Sequence, residues 1–144
     1  FNQERVLRFY RKYSDFGERY RLLHGLDGSS RGVIRGRLIL NRVEDFAGLK
    51  DARYQYSPYL LEALQHLVNS YLLLREEEVV AAMIPFGIGE MRFSRVCQPG
   101  EEIILEGRRL SHDGEGAIWD IRAIDDAGQI IMTVNGLIMK GFSA

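Results

Sequence analysis

Glu62 and His66 sit four residues apart within YQYSPYLLEALQHLVNSYLLL, residues 54–74. On an α-helix, residues at that spacing share one side, with Cβ atoms about 6 Å apart. A carboxylate and an imidazole so placed can hold and move a proton, provided that a pocket brings a substrate to them. Asn69 extends the same stripe and Gln65 adjoins it. The identical spacing also describes the polar face of an amphipathic helix, with Glu62 and His66 as a weak surface pair. Spacing alone leaves both readings open.

Few other groups could do chemistry. His24 is followed by Gly28, but no proline comes at the distance a catalytic histidine loop of that kind needs, so His24 is expected to be structural. His112 lies in the turn SHDGEG and is expected to face solvent. Cys97 ends a strand-like run with no His or Asp beside it and reads as a small buried hydrophobe. A single cysteine allows no internal disulfide and no cysteine cluster, and no metal site is expected. FGIGEM follows Pro85 inside a strand pattern and opens no helix, so its glycines do not form a phosphate loop. Asp125-Asp126-Ala127-Gly128 is a hairpin turn, too short for a calcium loop. Trp119, in the middle of a strand pattern, is expected in the core or an interface.

The elements that must position Glu62 and His66 follow from hydrophobic period and turn residues. Residues 3–14 predict a short amphipathic helix with Val6, Phe9, Tyr10 and Tyr13 at helical spacing, and Gly17 ends that region. Two strands are expected at 19–26 and 32–41, joined by DGSSRG. In the second, Ile34, Leu38 and Leu40 share one face while Arg35 and Arg37 take the other. After a loop at 47–52, Ser57 and Pro58 cap and open a helix over 58–74, with Leu60, Ala63, Leu64, Leu67, Val68, Tyr71 and Leu74 on one broad face. Glu76–Glu78 marks its exposed end. Four strands follow at 83–96, 102–111, 116–125 and 129–140. Gly87 and Gly89 predict a bend or bulge in the first, and short Asp- and Gly-rich turns make the last three a meander. An antiparallel sheet with one long apolar helix to cover its face predicts an α+β hot-dog fold, the sheet wrapped around a long central helix.

Composition bounds the rest. The 144 residues suffice for one domain, 1–144, and 46% hydrophobic with 27% charged residues is the profile of a soluble globular protein. No apolar run approaches the roughly 18–20 residues of a membrane span. The first thirty residues are charged throughout, unlike a secretory leader, so a reducing cytoplasmic setting is expected. A start at Phe1 rather than Met predicts a segment of something longer. The net charge of −1 hides an asymmetry: residues 1–50 carry eleven Lys/Arg against six Asp/Glu, and residues 51–144 carry eight against fourteen. A slightly acidic whole without an aromatic-basic motif argues against nucleic acid. The basic first third suits an acidic protein partner, or is a solvated helix face.

In order, four stretches resemble the dehydratase domain of modular polyketide synthases, specifically its C-terminal hot-dog half. RFYRKYSDFGERYRLL (8–23) is similar to that half's opening helix and Tyr-Gly-Pro-x-Phe segment. YSPYLLEALQHL (56–67) is similar to its His-Pro-Ala-Leu-Leu-Asp-Ala-x-x-Gln/His helix start. MIPFGIGEMRF (83–93) resembles its Leu-Pro strand, and IDDAGQIIMTVNGLIMK (124–140) its Asp-x-x-Gly hairpin and closing strand.

The resemblance implies a lyase that removes water from a β-hydroxyacyl group on the phosphopantetheine arm of an acyl carrier protein, without another cofactor. A histidine removes the α-proton and the helix Asp helps the hydroxyl leave. Glu62 takes the Asp position and His66 that of its Gln/His companion. Tyr20, Tyr56, Pro58, Tyr59, Pro85 and Phe86 would line the acyl tunnel. The chain departs from the family pattern in Glu62 for Asp and Ser57 for His. It also lacks the His-x-x-x-Gly-x-x-x-x-Pro loop that carries the base, which implies a second hot-dog half or a homodimer partner. The extra methylene of Glu62 moves the carboxyl by more than about 1 Å, a shift that can cost on the order of 100-fold. A dry tunnel is expected to raise its pKa, as suits a proton donor. Two alternatives stay open. One is a hot-dog thioesterase using Glu62 as base or nucleophile; the other is a non-catalytic module for dimerisation or carrier binding.

Overall fold

Asn2 opens the first element. Its side-chain oxygen accepts hydrogen bonds from the backbone N–H of Glu4 (2.9 Å) and Arg5 (3.4 Å), satisfying two donors that a helix start leaves free. The computed structural model describes residues 2–12, 23–29, 31–39, 58–74, 83–95, 97–98 and 100–141. Within them run α1 (Gln3–Lys12), β1 (Leu23–Ser29), β2 (Val33–Ile39), α2 (Pro58–Leu74), β3 (Met83–Phe93), β4 (Glu102–His112), β5 (Gly116–Ile124) and β6 (Ile130–Gly141). Helix α2 has the bounds that Ser57-Pro58 and the apolar period predict. The loop at 47–52, Gly17 and Glu76–Glu78 lie outside the described residues.

The six strands form one sheet in the order β1-β2-β4-β5-β6-β3, every neighbouring pair antiparallel. Strand β2 alternates as its sequence predicts, with Ile34, Gly36 and Leu38 buried and Arg35 exposed. Strand β1 differs from its expected span. Asp27, Gly28 and Ser29, read from sequence as turn, pair with Arg35, Ile34 and Val33, because backbone hydrogen bonding to β2 outweighs their weak strand preference. The turn contracts towards Arg31 and Gly32, both at positive φ (104° and 77°).

Helix α2 lies against β1, β2, β3 and β4. Leu60, Ala63, Leu64, Leu67, Val68 and Tyr71 are buried, as the helical wheel predicts. Leu67 is seated over two inward-facing glycines. A Cβ at Gly36 would stand 2.8 Å from one Leu67 methyl, and a Cβ at Gly107 would stand 3.3 Å from the other. These glycines let the helix approach the sheet closely, and Leu67 fills the space that their missing side chains leave.

The polar stripe of α2 is only partly wet: Glu62 and Gln65 are half-buried, whereas His66, Asn69 and the nearby Ser70 are buried. Each buried group finds a partner inside, which is the condition for burying a polar group at acceptable cost. Asn69 clamps the start of β3, giving its amide N–H to the Met83 carbonyl (3.0 Å) and accepting from the Met83 N–H (2.7 Å). Ser70 donates to the Leu67 carbonyl (2.7 Å).

Strand β3 is an edge strand with a register shift between Pro85 and Gly87, where the glycines predict a bulge. Beyond its far end, a charged cluster pins the β5–β6 hairpin. Asp125 accepts from the backbone of Ala127 (3.1 Å) and Gln129 (2.8 Å) and from Arg95 (2.9 Å), and Arg95 also pairs with Glu101. The Arg95 guanidinium holds both carboxyls below their ordinary values of 3.8 and 4.5. A depressed folded pKa gives stability that is complete above the ordinary value and lost as pH falls through the folded one. Asp125→Ala is therefore expected to lower the urea midpoint at pH 7. Its gap from wild type should close on acidification below 3.8, measured as urea midpoint against pH.

Candidate functional site

Three elements converge on His66. Helix α2 supplies His66 and, one turn earlier, Glu62; α1 supplies Tyr10; β1 supplies a backbone N–H at Leu23. Tyr10 and Val6 form the buried side of α1, which packs against β1 and α2. The Tyr10 hydroxyl lies 3.1 Å from His66 Nδ1 and accepts the Leu23 N–H at 2.9 Å. The two rings meet edge to face, with centroids 5.7 Å apart at 71°. On the other side of the imidazole, His66 Nε2 stands 3.4 Å from Glu62 Oε1.

Burial separates the two members of the pair. The His66 side chain is 1% exposed and that of Glu62 33%, so the carboxyl is the group that a substrate can reach. Gln65 also donates to Glu62 through its amide. These bonds lower the Glu62 pKa from its ordinary 4.5, with the His66 bond the largest cause and burial opposing it. This corrects the expectation of a raised value: a dry environment alone would disfavour the carboxylate, but here two side-chain donors stabilise it. At neutral pH the group presents a carboxylate. The weak surface pair inferred from helical spacing is likewise corrected, since one partner is fully enclosed.

The other expected site residues fare differently. Tyr20 and Tyr56 lie outside the described residues, and Pro58 and Tyr59 are placed only as the first two residues of α2. Pro85 and Phe86 are exposed on β3. Phe86 is 65% exposed and stacks under the Lys140 ammonium, 3.8 Å from the ring centroid. Lys140 follows the buried Met139 in β6, so Phe86 shares the outer face of the sheet with it. His24, at a register irregularity of β1, and His112, at the end of β4, are both exposed. Among the described residues no group of three or more His, Cys, Asp or Glu is placed to hold a metal. No helix among them is long and apolar enough to cross a membrane.

Tyr10 was legible only as core. Its hydroxyl was the one signal of a further role, since a purely apolar position would take Phe equally well.

Comparison with known proteins identifies the fold and the family. The "Crystal structure of the dehydratase domain of RzxB from Pseudomonas fluorescens" superposes with a TM-score of 0.75 at 24% identity, covering 93% of this chain and 47% of that one. "GphF Dehydratase 1" superposes at 0.76 with 20% identity, covering 96% and 50%. The zebra fish thioesterase superfamily member 2 matches at 0.67 with 13% identity, covering 99% of both. No curated protein sequence matches. The chain spans about half the length of the polyketide dehydratase structures it resembles. The six-stranded antiparallel sheet is thus of hot-dog type. A family model, the polyketide synthase dehydratase N-terminal domain, matches residues 3–144, so the chain belongs to the polyketide synthase dehydratase family.

Proposed function

We propose that this chain is one hot-dog half of a β-hydroxyacyl-carrier dehydratase, with α2 as the central helix of the fold and Glu62 as the acid of a shared site. The observation that carries this reading is the Glu62–His66 pair, a reachable carboxyl locked to a buried imidazole. In the reaction, a histidine of the second half takes the proton from Cα of the acyl thioester. The Cα–H electron pair becomes the new C=C bond as the Cβ–O bond breaks, and the hydroxyl leaves as water with the proton from Glu62. The substrate would arrive on the phosphopantetheine arm of an acyl carrier protein, with no further cofactor.

The half is read as the C-terminal one. The helix bearing Glu62 and His66 supports this, as does the sequence His24-x-x-x-Gly28 followed by Val33 where the base-bearing loop would have proline. The matching family model is described as an N-terminal domain, so this assignment rests on the motif residues. Edge strand β3 offers a place for the second half or a partner copy. Among the described residues it pairs only with β6, and it exposes Ile84, Phe86 and Ile88. Unpaired strand edges and clustered apolar side chains both favour association.

A proton donor with a lowered pKa needs an environment that reverses the shift. Covering the exposed third of Glu62 with substrate and second half would strengthen the effect of burial, which already acts upwards. The carboxyl 13C resonance of Glu62 in the intact dehydratase is therefore expected to titrate below 4.5 when free and at higher pH with a β-hydroxyacyl analogue bound. An unchanged titration on binding would count against the acid role.

The ionised state of Glu62 favours a second reading, a thioesterase in which the carboxylate acts as base or nucleophile on an acyl thioester. Dehydration of a β-hydroxyacyl-carrier by the intact region, set against release of free acid, separates the two.

A further inference from the structure

We infer that Tyr10 is a positioning residue for Glu62, its hydroxyl fixing His66 in the tautomer whose Nε2–H faces the carboxyl. The inference rests on reading Glu62 as the reacting carboxyl and adds a residue from a different element to that site. The Tyr10 oxygen accepts the Leu23 N–H, and its own O–H lies 3.1 Å from His66 Nδ1. If that O–H donates, Nδ1 is the acceptor and the ring's one hydrogen sits on Nε2, 3.4 Å from Glu62 Oε1. The opposite tautomer would set the Nε2 lone pair against a carboxylate oxygen, a repulsive contact. One arrangement thus gives the backbone amide, the phenol and Nδ1 a partner each and turns the Nε2–H towards the carboxylate. Hydrogen bonds polarise one another, so a donor at Nδ1 makes the Nε2–H a better partner for the Glu62 carboxylate 3.4 Å away.

Among the described residues the imidazole meets the Tyr10 hydroxyl, which also takes the Leu23 N–H, and Glu62, which also takes the Gln65 amide. Tyr10 is 4% exposed and its ring is held edge-on to His66, so the hydroxyl has little freedom to turn away. Its separation from the exposed carboxyl by the whole imidazole makes its effect indirect. Loss of the hydroxyl should loosen the His66 ring without removing any group that touches the acyl chain.

The test uses the intact dehydratase labelled with 15N-histidine. In the wild type the His66 nitrogen shifts are expected to report Nε2–H, a result that needs no variant and so survives any folding defect. In Tyr10→Phe the Nδ1 resonance should move to that of a nitrogen that accepts no hydrogen bond, while the carboxylate still favours Nε2–H. The kcat for water elimination should fall about tenfold, the weight of one buried hydrogen bond, with KM unchanged. A wild-type Nδ1–H tautomer overturns the inference. So does a folded Tyr10→Phe with the wild-type nitrogen shifts and kcat, which leaves Tyr10 as packing alone. If Glu62→Ala keeps full activity, the reading of the site fails instead, and the nitrogen shifts still decide the role of Tyr10.

Discussion

Glu62→Gln is expected to lower kcat for water elimination by the intact dehydratase by about 10²–10⁴-fold, the usual weight of a positioned general acid. The amide matches the carboxyl in shape, and its oxygen can still accept from His66 and Gln65. What it cannot do is give up a proton to the departing hydroxyl. KM should change little, because the loss falls on the transition state rather than on binding. The pH dependence has a definite sign. An acid works only while protonated, so the contribution of Glu62 is present below its pKa in the substrate complex and disappears above it. The same lowered pKa in the free protein makes Glu62 a small stabiliser above 4.5 that is lost in acid. Rate against pH and thermal midpoint against pH should therefore slope in opposite directions across this group.

Leu67→Ala should cost about 2–5 kcal/mol, read as a shift in urea midpoint of the intact region. Leu67 is fully buried and both its methyls fill space over glycines, at Gly36 on β2 and Gly107 on β4. Truncation leaves a cavity where the two facing positions have no side chain to move into it. The cost should accordingly lie in the upper part of that range, against a total stability of about 5–15 kcal/mol for an ordinary domain. Restoring volume from the other side is expected to fail in the wild-type background. A Cβ at Gly36 would stand 2.8 Å from Leu67 and 2.9 Å from Leu23, so Gly36→Ala should itself destabilise.

The sheet and α2 were legible because their signals are local. Alternation in β2, the short Asp- and Gly-rich turns of the last strands and the Ser-Pro helix start each act within a few residues. The end of β1 was not, since Asp27-Gly28-Ser29 is held in a strand by pairing to Val33, Ile34 and Arg35 rather than by its own preference. The site was half legible. Helical spacing brought Glu62 and His66 together, but could not tell a solvated pair from an enclosed one. That difference depends on Tyr10, some fifty residues earlier, and on the Leu23 amide, and no period in α2 records either. The sign of the Glu62 shift escaped for the same reason: burial was foreseeable, whereas two side-chain donors overriding it required the folded geometry.

The most direct measurement follows the mass of an acyl group on its carrier protein after incubation with the intact dehydratase, wild type against Glu62→Gln. The wild type should leave the acyl group attached and lighter by one water, while the variant should leave it at its starting mass over the same time. Release of free acid by the wild type, or water loss by the variant at the wild-type rate, would contradict a dehydratase with Glu62 as its acid.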